Sequence, residues 1–351
     1  MSVGLFLPGG GAAGVMYQIA VLAALEDSID GWSANHFSSF YAASSGATVA
    51  TALAGGCGVR RMYRALLDPS DDYFPLERKH ILKMDVGGWA RAAVAVASSL
   101  RQGMSTAMAR SPQNTPAALW EELDRLYDSL PPGLFSLERY ERFFAERLNR
   151  RGVVNSFPSL QRPLRIVAHS LDSGERIFFG EAGTEHVPIT RACMASMALP
   201  PFFSPIKVGE KHCINAGAAQ VEALDCAQAM GMSTLVVVNP MVPVRGPVAS
   251  PGGDGGVVSL AEKGAMWVAN QAHRVSLRLL LEEALRRVER EGMQIIVIEP
   301  QPTDTLMFTY NPTSFATRRT ILEHVYRTTR ERVSQWPVSK LSLIPPPMGE
   351  G

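Results

Sequence analysis

The sequence predicts an α/β fold with a central, mostly parallel sheet, and three observations carry that prediction. Short runs rich in β-branched and aromatic residues recur along the chain, and segments of helical period stand between them. The region from residue 58 to 157 is patterned as helix with almost no strand signal, so it reads as a helical insertion on the sheet. At 351 residues the chain is about twice a usual single-domain length, yet open α/β sheets of this size fold as one unit. The expected organisation is one domain over residues 1–340, with 58–157 as a helical cap and 341–351 as a flexible tail.

The elements follow in order. Val3 to Leu7 is the first strand, and the glycine-rich Pro8-Gly9-Gly10-Gly11-Ala12-Ala13-Gly14 leads into a helix beginning near Gly14. Phe37 to Tyr41 is the second strand, followed by an alanine-rich helix running to Ala54. Within the insertion, Ala117 to Tyr127 and Leu137 to Asn149 have helical period, punctuated by Pro69, Pro75, Pro112 and Pro131-Pro132. Strands are expected again at Leu164 to His169, Lys211 to Asn215, Leu235 to Val238 and Ile295 to Ile298. A long helix from about Leu260 to Glu291 has Val268, Ala272, Val275 and Leu279 as its apolar stripe, and Gly292 as its stop. Arg274, Arg278, Glu282 and Arg286 are expected on the opposite, solvated face. Pro240 to Gly256 and the tail after Leu343 are the most flexible segments by composition and are not expected in the core.

Composition excludes several classes of function. Hydrophobic residues make up 46% of the chain and charged residues 19%, too apolar for a disordered protein. Lys and Arg number 34 against 33 Asp and Glu, so no overall field gathers nucleic acid. Cys57, Cys193, Cys213 and Cys226 form no C-x-x-C pair and share no ligand rhythm with the seven histidines, so buried thiols in a reducing compartment are expected, with no metal and no cofactor. The opening MSVGLFLPGGG has no basic n-region and its apolar run stops at Pro8. The alanine-rich stretch from Val86 to Leu100 is broken by Arg91 and falls short of a bilayer span. A cytoplasmic protein, with peripheral membrane contact at most, is the expectation.

Two loops bear chemistry. Gly9, Gly10 and Gly11 sit between a strand and a helix, where backbone N–H groups can turn toward a phosphate or a developing oxyanion. Gly9, Gly11 and Gly14 also fit G-x-G-x-x-G, but Asp27 and Asp30 stand in the next helix and at its exit rather than at a strand end, which disfavours a dinucleotide. The second loop, Ala42-Ala43-Ser44-Ser45-Gly46, has the small residues that a sharp strand-to-helix turn requires to lift a serine above the sheet. Helix capping by Ser44 or Ser45 is the plainer alternative.

Together these segments resemble the patatin-like phospholipase family, which pairs a glycine-rich oxyanion loop with a nucleophilic serine about 30 residues later. The likeness continues through Leu134-Phe135-Ser136-Leu137, Ala168 to Glu175, Ala195 to Pro205, Leu224-Asp225-Cys226-Ala227 and Val236 to Pro240, covering Val3 to about residue 335. It implies a three-layer patatin-like fold, Ser44 as nucleophile, and an oxyanion hole from Gly9, Gly10, Gly11 and Ser45. The substrate it implies is a lipid or other acyl ester.

The family's base does not carry over. Its aspartate belongs to a D-G-G or D-G-A tripeptide, and the matching tripeptide here is Asn215-Ala216-Gly217. An amide can orient Ser44 through its carbonyl oxygen but cannot take the proton. In chymotrypsin-type proteases even the orienting aspartate, replaced by asparagine, costs about 10⁴-fold in turnover. Ala13 stands where the family has a basic residue, and His169-Ser170 where it has threonine-aspartate. Asp225 matches a different family position, and Asp254-Gly255-Gly256 comes too late in the order to be the acid. His212 is expected on the strand face opposite Asn215, and His169 at a strand end is expected as a hydrogen-bonded structural histidine. Trp89, Met104, Met108 and Trp120 fit either a lipid channel or plain core. Two functions follow from the resemblance: a weak phospholipase A-type acyl hydrolase, or a silent relative, a pseudoenzyme, that binds lipid or a protein partner.

Overall fold

The computed structural model describes residues 2–68, 70–73, scattered positions from 80 to 101, 131–215, 217, 219–249, 256–304 and 315–337. Eight strands form one sheet: β1 (Val3–Leu7), β2 (Ser39–Ala43), β3 (Leu164–Ser170), β4 (Arg176–Phe179), β5 (Ile206–Val208), β6 (Lys211–Ile214), β7 (Thr234–Val238) and β8 (Gln294–Ile298). Their order is β8-β7-β1-β2-β3-β6-β5, with β4 also paired to β3. The five strands from β8 to β3 run parallel, and β4, β6 and β5 add antiparallel pairs at one side. The helices are α1 (Gly11–Glu26), α2 (Gly46–Ala54), α3 (Val59–Leu67), α4 (Glu138–Asn149), α5 (Ile189–Met197), α6 (Ala219–Ala229), α7 (Ala265–Arg290) and α8 (Phe315–Val333).

Strand alternation sorts the core into two layers. Leu5, Leu7, Phe40, Ala42, Ile166, Ala168, Val236 and Val238 face one cluster, with residues of α1, α2, α4, α5 and α8. Phe6, Tyr41, Ala43, Val167, Leu235 and Val237 face the other, with α6 and α7. Gly4 lies on that second face in a tight fit: a Cβ there would lie 3.0 Å from both Leu235 Cδ1 and Tyr41 Cε2. The sheet is therefore covered on both sides, the condition for parallel strands this apolar.

Several expectations need correction. Strand β2 begins at Ser39 rather than Phe37, because Ala34–His36 forms a 3₁₀ turn capped by Ser33. Phe37 instead packs edge-on against Trp32 and Phe40, at centroid separations of 5.7 and 6.2 Å. Helix α1 starts at Gly11, three residues before Gly14.

The long helix α7 is rotated relative to the expected stripe. Val268, Val275 and Leu279 are 47%, 44% and 64% exposed, while Leu277, Leu281, Ala284 and Val288 are buried. Arg274 lies on the buried face, 6% exposed, because its guanidinium has carbonyl acceptors: Pro240 O and Val242 O at 3.1 Å, with Asn270 Oδ1 at 2.8 Å. Burial pushes its pKa down to about 10. Arg278, Glu282 and Arg286 do lie on the expected outer face, where the structure pairs them as ions, and the helix ends before Gly292 at φ 94°.

The same contacts correct the reading of residues 240–249. Met241, Val242, Val244 and Val248 are buried, because Arg274 binds that backbone and Gln271 exchanges two hydrogen bonds with Val244. Val248–Ala249 then pairs with Val257–Val258. The four cysteines are free and buried. Among the described residues no helix is long and apolar enough to cross a membrane. The expected helix 117–127, Met104, Met108, Trp120, Asp254-Gly255 and the tail lie outside the described residues.

Candidate active site

The site assembles where β1 and β2 end side by side. Each leads directly into a helix, and neither α1 nor α2 has a side-chain N-cap, so two uncapped N-termini stand at one sheet edge. Ser44, the residue after β2, has φ 53° and is the one non-glycine with positive φ among the described residues. Such a conformation costs of order 1–3 kcal/mol and persists only where surrounding contacts impose it.

Those contacts are identifiable. The Ser44 N–H donates to Ser196 Oγ at 2.7 Å, and Ser196 Oγ donates to Val167 O at 2.5 Å, so the buried Ser196 hydroxyl pins the turn to β3. Gly46 is the other constraint: a Cβ there would sit 2.0 Å from Leu7 O and 2.7 Å from Pro8 O. The serine turn thus rests in backbone contact with the start of the glycine loop. Ser45 does not cap α2; its hydroxyl is buried without a hydrogen-bond partner, which sets aside the capping alternative.

The glycine loop is held from below. Gln18, fully buried on α1, donates from Nε2 to Pro8 O at 2.5 Å and to Val238 O at 3.4 Å. Pro240 packs on Gly10 and Gly14, where a Cβ would meet its Cγ at 2.6 and 3.1 Å. Gly11 adopts φ 61°, and Gly14 N–H donates to Gly10 O at 3.0 Å.

Asn215 follows β6 and is 2% exposed. Its N–H donates to Ala198 O at 2.9 Å, and its Oδ1 accepts the Gly217 N–H at 2.9 Å. Ala43 pairs with Val167 and Ile214 with His169, so one further step puts Ser44 and Asn215 on either side of Ala168. Two strand spacings separate their backbones by roughly 10 Å. Accordingly, no hydrogen bond joins Ser44 to Asn215 among the described residues. Ala216 lies outside the described residues. Gly217, at φ 76°, is covered by His273 of α7, whose Cε1 would be 2.9 Å from a Cβ there. Burial, helped by neighbouring Arg274, lowers the His273 pKa below its ordinary 6.5.

The other histidines and acids stand elsewhere. His169 shares the parity of Val167 and faces α6, where its Nε2 lies 3.0 Å from Glu222 Oε2. His212 is half exposed, 3.5 Å from Asp172. Asp225 pairs with Arg176 at 3.5 Å and with Arg287. Trp89 is half-buried and donates from Nε1 to Leu134 O at 3.4 Å.

The motif run Ala195 to Pro205 ties these parts together. Ser196 holds Ser44, Ala198 holds Asn215, and Pro201 O and Phe202 O accept N–H groups of Leu134 and Phe135 at 3.0 and 2.8 Å. No close sequence spacing marks Ser196, 152 residues from Ser44, as the group that fixes the turn.

A parallel α/β sheet with a strained serine turn seated against a glycine loop defines the class of protein. A family model described as patatin-like phospholipase matches residues 5–225, and the chain belongs to that family. Among solved structures it is similar to VipD from Legionella pneumophila, at 15% identity and TM-score 0.37 over 95% of this chain and 67% of that one. It is also similar to the type III effector protein ExoU, at 15% identity and TM-score 0.36. The ExoU-SpcU complex from Pseudomonas aeruginosa gives 16% identity and TM-score 0.32. In both ExoU comparisons 95% of this chain is covered, spanning 52% of the ExoU chain. No curated protein matches the chain.

Proposed function

We propose that the chain is a lipid acyl-ester hydrolase of low turnover. In this reading Ser44 attacks the ester carbonyl while its hydroxyl proton passes to solvent water for want of a side-chain base, N–H groups of Gly9, Gly10, Gly11 and Ser45 hold the oxyanion, and Asn215 shapes the neighbouring turn through its bonds to Ala198 and Gly217. The observation that carries it is the Ser44 backbone, strained at φ 53° and braced by Ser196 and by the Leu7–Pro8 backbone under Gly46. Strain kept at a half-buried serine beside two uncapped helix ends is what a nucleophile turn needs and a mere connection does not. The substrate resides in a lipid aggregate, so peripheral membrane contact belongs to the same proposal, supported by the exposed Val268, Val275 and Leu279 on α7.

A second reading, a silent lipid- or protein-binding relative, is favoured by one observation: Asn215 Oδ1 is engaged by the Gly217 N–H and makes no bond to Ser44. Covalent labelling by a fluorophosphonate probe separates the two. Labelling that maps to Ser44 and disappears in Ser44→Ala supports the hydrolase. No labelling at high probe concentration and long exposure supports the silent relative.

A further inference from the structure

A cleft between α1, α2, α3 and α4 begins one turn from Ser44. Its walls are mostly apolar: Val15, Met16 and Ile19 of α1, Val49 and Ala52 of α2, and Phe144 of α4 line most of it, and Arg318 of α8 also reaches it. The cleft is narrow. Its cavity volume is only about 50 Å³. That shape suits one extended hydrocarbon chain and excludes a bulky ring system.

The two ends of the cleft differ. Ala12 and Thr48 line the end near the glycine loop and the serine turn, where Thr48 Oγ1 donates to Ser45 O at 2.8 Å. Arg147 and Arg151 line the other, on and just past the last turn of α4. That end lies at the far terminus of α2, because Val153 packs where a Cβ on Gly55 would be, at 2.6 Å. Nine residues of α2 span roughly 13 Å between the two ends.

The arginines are placed for a ligand anion. Arg151 lies over the Tyr73 ring at 3.7 Å, and Arg147 Nη1 donates to Asp72 O at 3.0 Å, so both guanidinium planes are fixed. Arg151 Nη1 donates to Arg147 O at 2.5 Å and the Asp71 carboxylate acts on Arg151 electrostatically, but neither arginine forms a hydrogen-bonded pair with a carboxylate among the described residues, and the Nε of each is buried without a hydrogen bond. Two half-buried cations with donors to spare, closing an apolar slot, match an amphiphile whose head is negative.

We propose that this cleft binds a single-chain anionic amphiphile, with its tail along α2 toward the serine turn and its carboxylate or phosphate on Arg147 and Arg151. The head then stands about the length of α2 away from Ser44. An ester beside the head group is therefore out of reach of Ser44, and occupancy of the cleft does not depend on turnover.

The test is calorimetric titration of the full-length Ser44→Ala protein with oleate and with lysophosphatidic acid, each below its micelle concentration. One saturable site per chain is expected, with oleyl alcohol binding at least tenfold more weakly. That comparison needs no further variant. Preference for oleate or for lysophosphatidic acid identifies the head group as carboxylate or phosphate. In Arg147→Gln/Arg151→Gln, checked for folding by its melting temperature, the affinity for the anions should fall at least tenfold and that for oleyl alcohol should not change. Absence of saturable binding, equal binding of oleyl alcohol, or unchanged affinity in the folded double variant would each overturn the proposal. Fluorophosphonate labelling of Ser44 in the unsubstituted protein is read independently, so loss of the hydrolase reading leaves this result standing, and the reverse.

Discussion

Ser44 on β2 and the Asn215 turn on β6 are anchored by the same short stretch of chain, Ser196 and Ala198 at the end of α5. On the Ser44 side every restraint needed for a strained, presented serine is present: the Ser196 bond, the Gly46 contact and the loop tied down by Gln18. On the Asn215 side the backbone is held as firmly, yet the side chain is neutral and already engaged by Gly217. The contrast separates two requirements of a serine hydrolase that usually travel together. Backbone restraint presents the nucleophile, and charge removes its proton. In the proposed reading, the described residues around Ser44 supply the first, and Asn215 does not supply the second.

The sharpest way to break the contrast is to return the charge. Asn215→Asp restores a proton acceptor of nearly the same size, and hydrolysis of a short-chain p-nitrophenyl ester should rise by roughly 10² to 10⁴. Ser44→Ala in that background should abolish the gain. A folded Asn215→Asp protein with no Ser44-dependent gain would mean that the side chain at 215 stays on the Gly217 N–H and does not reach Ser44, and would favour the silent relative.

Damage to the intact side comes next in size. Gly46→Ala places a methyl 2.0 Å from Leu7 O, where backbone rather than a mobile side chain must yield. A loss of about 3 kcal/mol or more in denaturant unfolding is expected, together with loss of probe labelling. Wild-type stability in this variant would show that the loop and the serine turn are not packed together as described.

Ser196→Ala should cost less, about 1–3 kcal/mol, since it leaves the Ser44 N–H and the Val167 carbonyl without their shared partner. Its informative readout is a slower labelling rate, partly recovered in Ser196→Thr. Equal rates in wild type and Ser196→Ala would reduce Ser196 to a packing residue.

The smallest effect belongs to the Asn215 side. Burial lowers the His273 pKa below 6.5, so the unfolded chain takes up a proton more readily than the folded one. The corresponding stability is present above pH 6.5 and is lost as the pH falls through the depressed value. The melting temperature should therefore drop between pH 7.5 and 5.5, and His273→Gln should flatten part of that drop. An identical pH profile in the variant would remove His273 from the account.

Much of this site was legible because it is local. A strand, a turn of small residues and a helix follow one another within Phe40 to Ala54, and sterics between near neighbours restrict what Ser44-Ser45-Gly46 can do. The glycine loop after β1 is readable for the same reason. The rotation of α7 was not legible. Val268, Val275 and Leu279 make as good an apolar stripe as Leu277, Leu281 and Val288, and periodicity cannot choose between two such faces.

The tertiary structure made that choice by supplying partners. Arg274 could be buried because the carbonyls of Pro240 and Val242 come within 3.1 Å, and the guanidinium, with Gln271 on Val244, helps to hold that segment in place. Neither half of that exchange is visible in its own segment. The sequence alone determined six of the eight strands of the main sheet, the serine turn, the glycine loop and the neutral residue at Asn215, because each follows from residue type and the sterics of adjacent residues, whereas Arg176–Phe179 and Ile206–Val208 became strands only by pairing in the sheet. Which helix face is buried, that 240–249 belongs to the core, and that Ser196 fixes Ser44 were decided only in three dimensions, because each rests on a hydrogen bond or contact between segments that only the fold brings together.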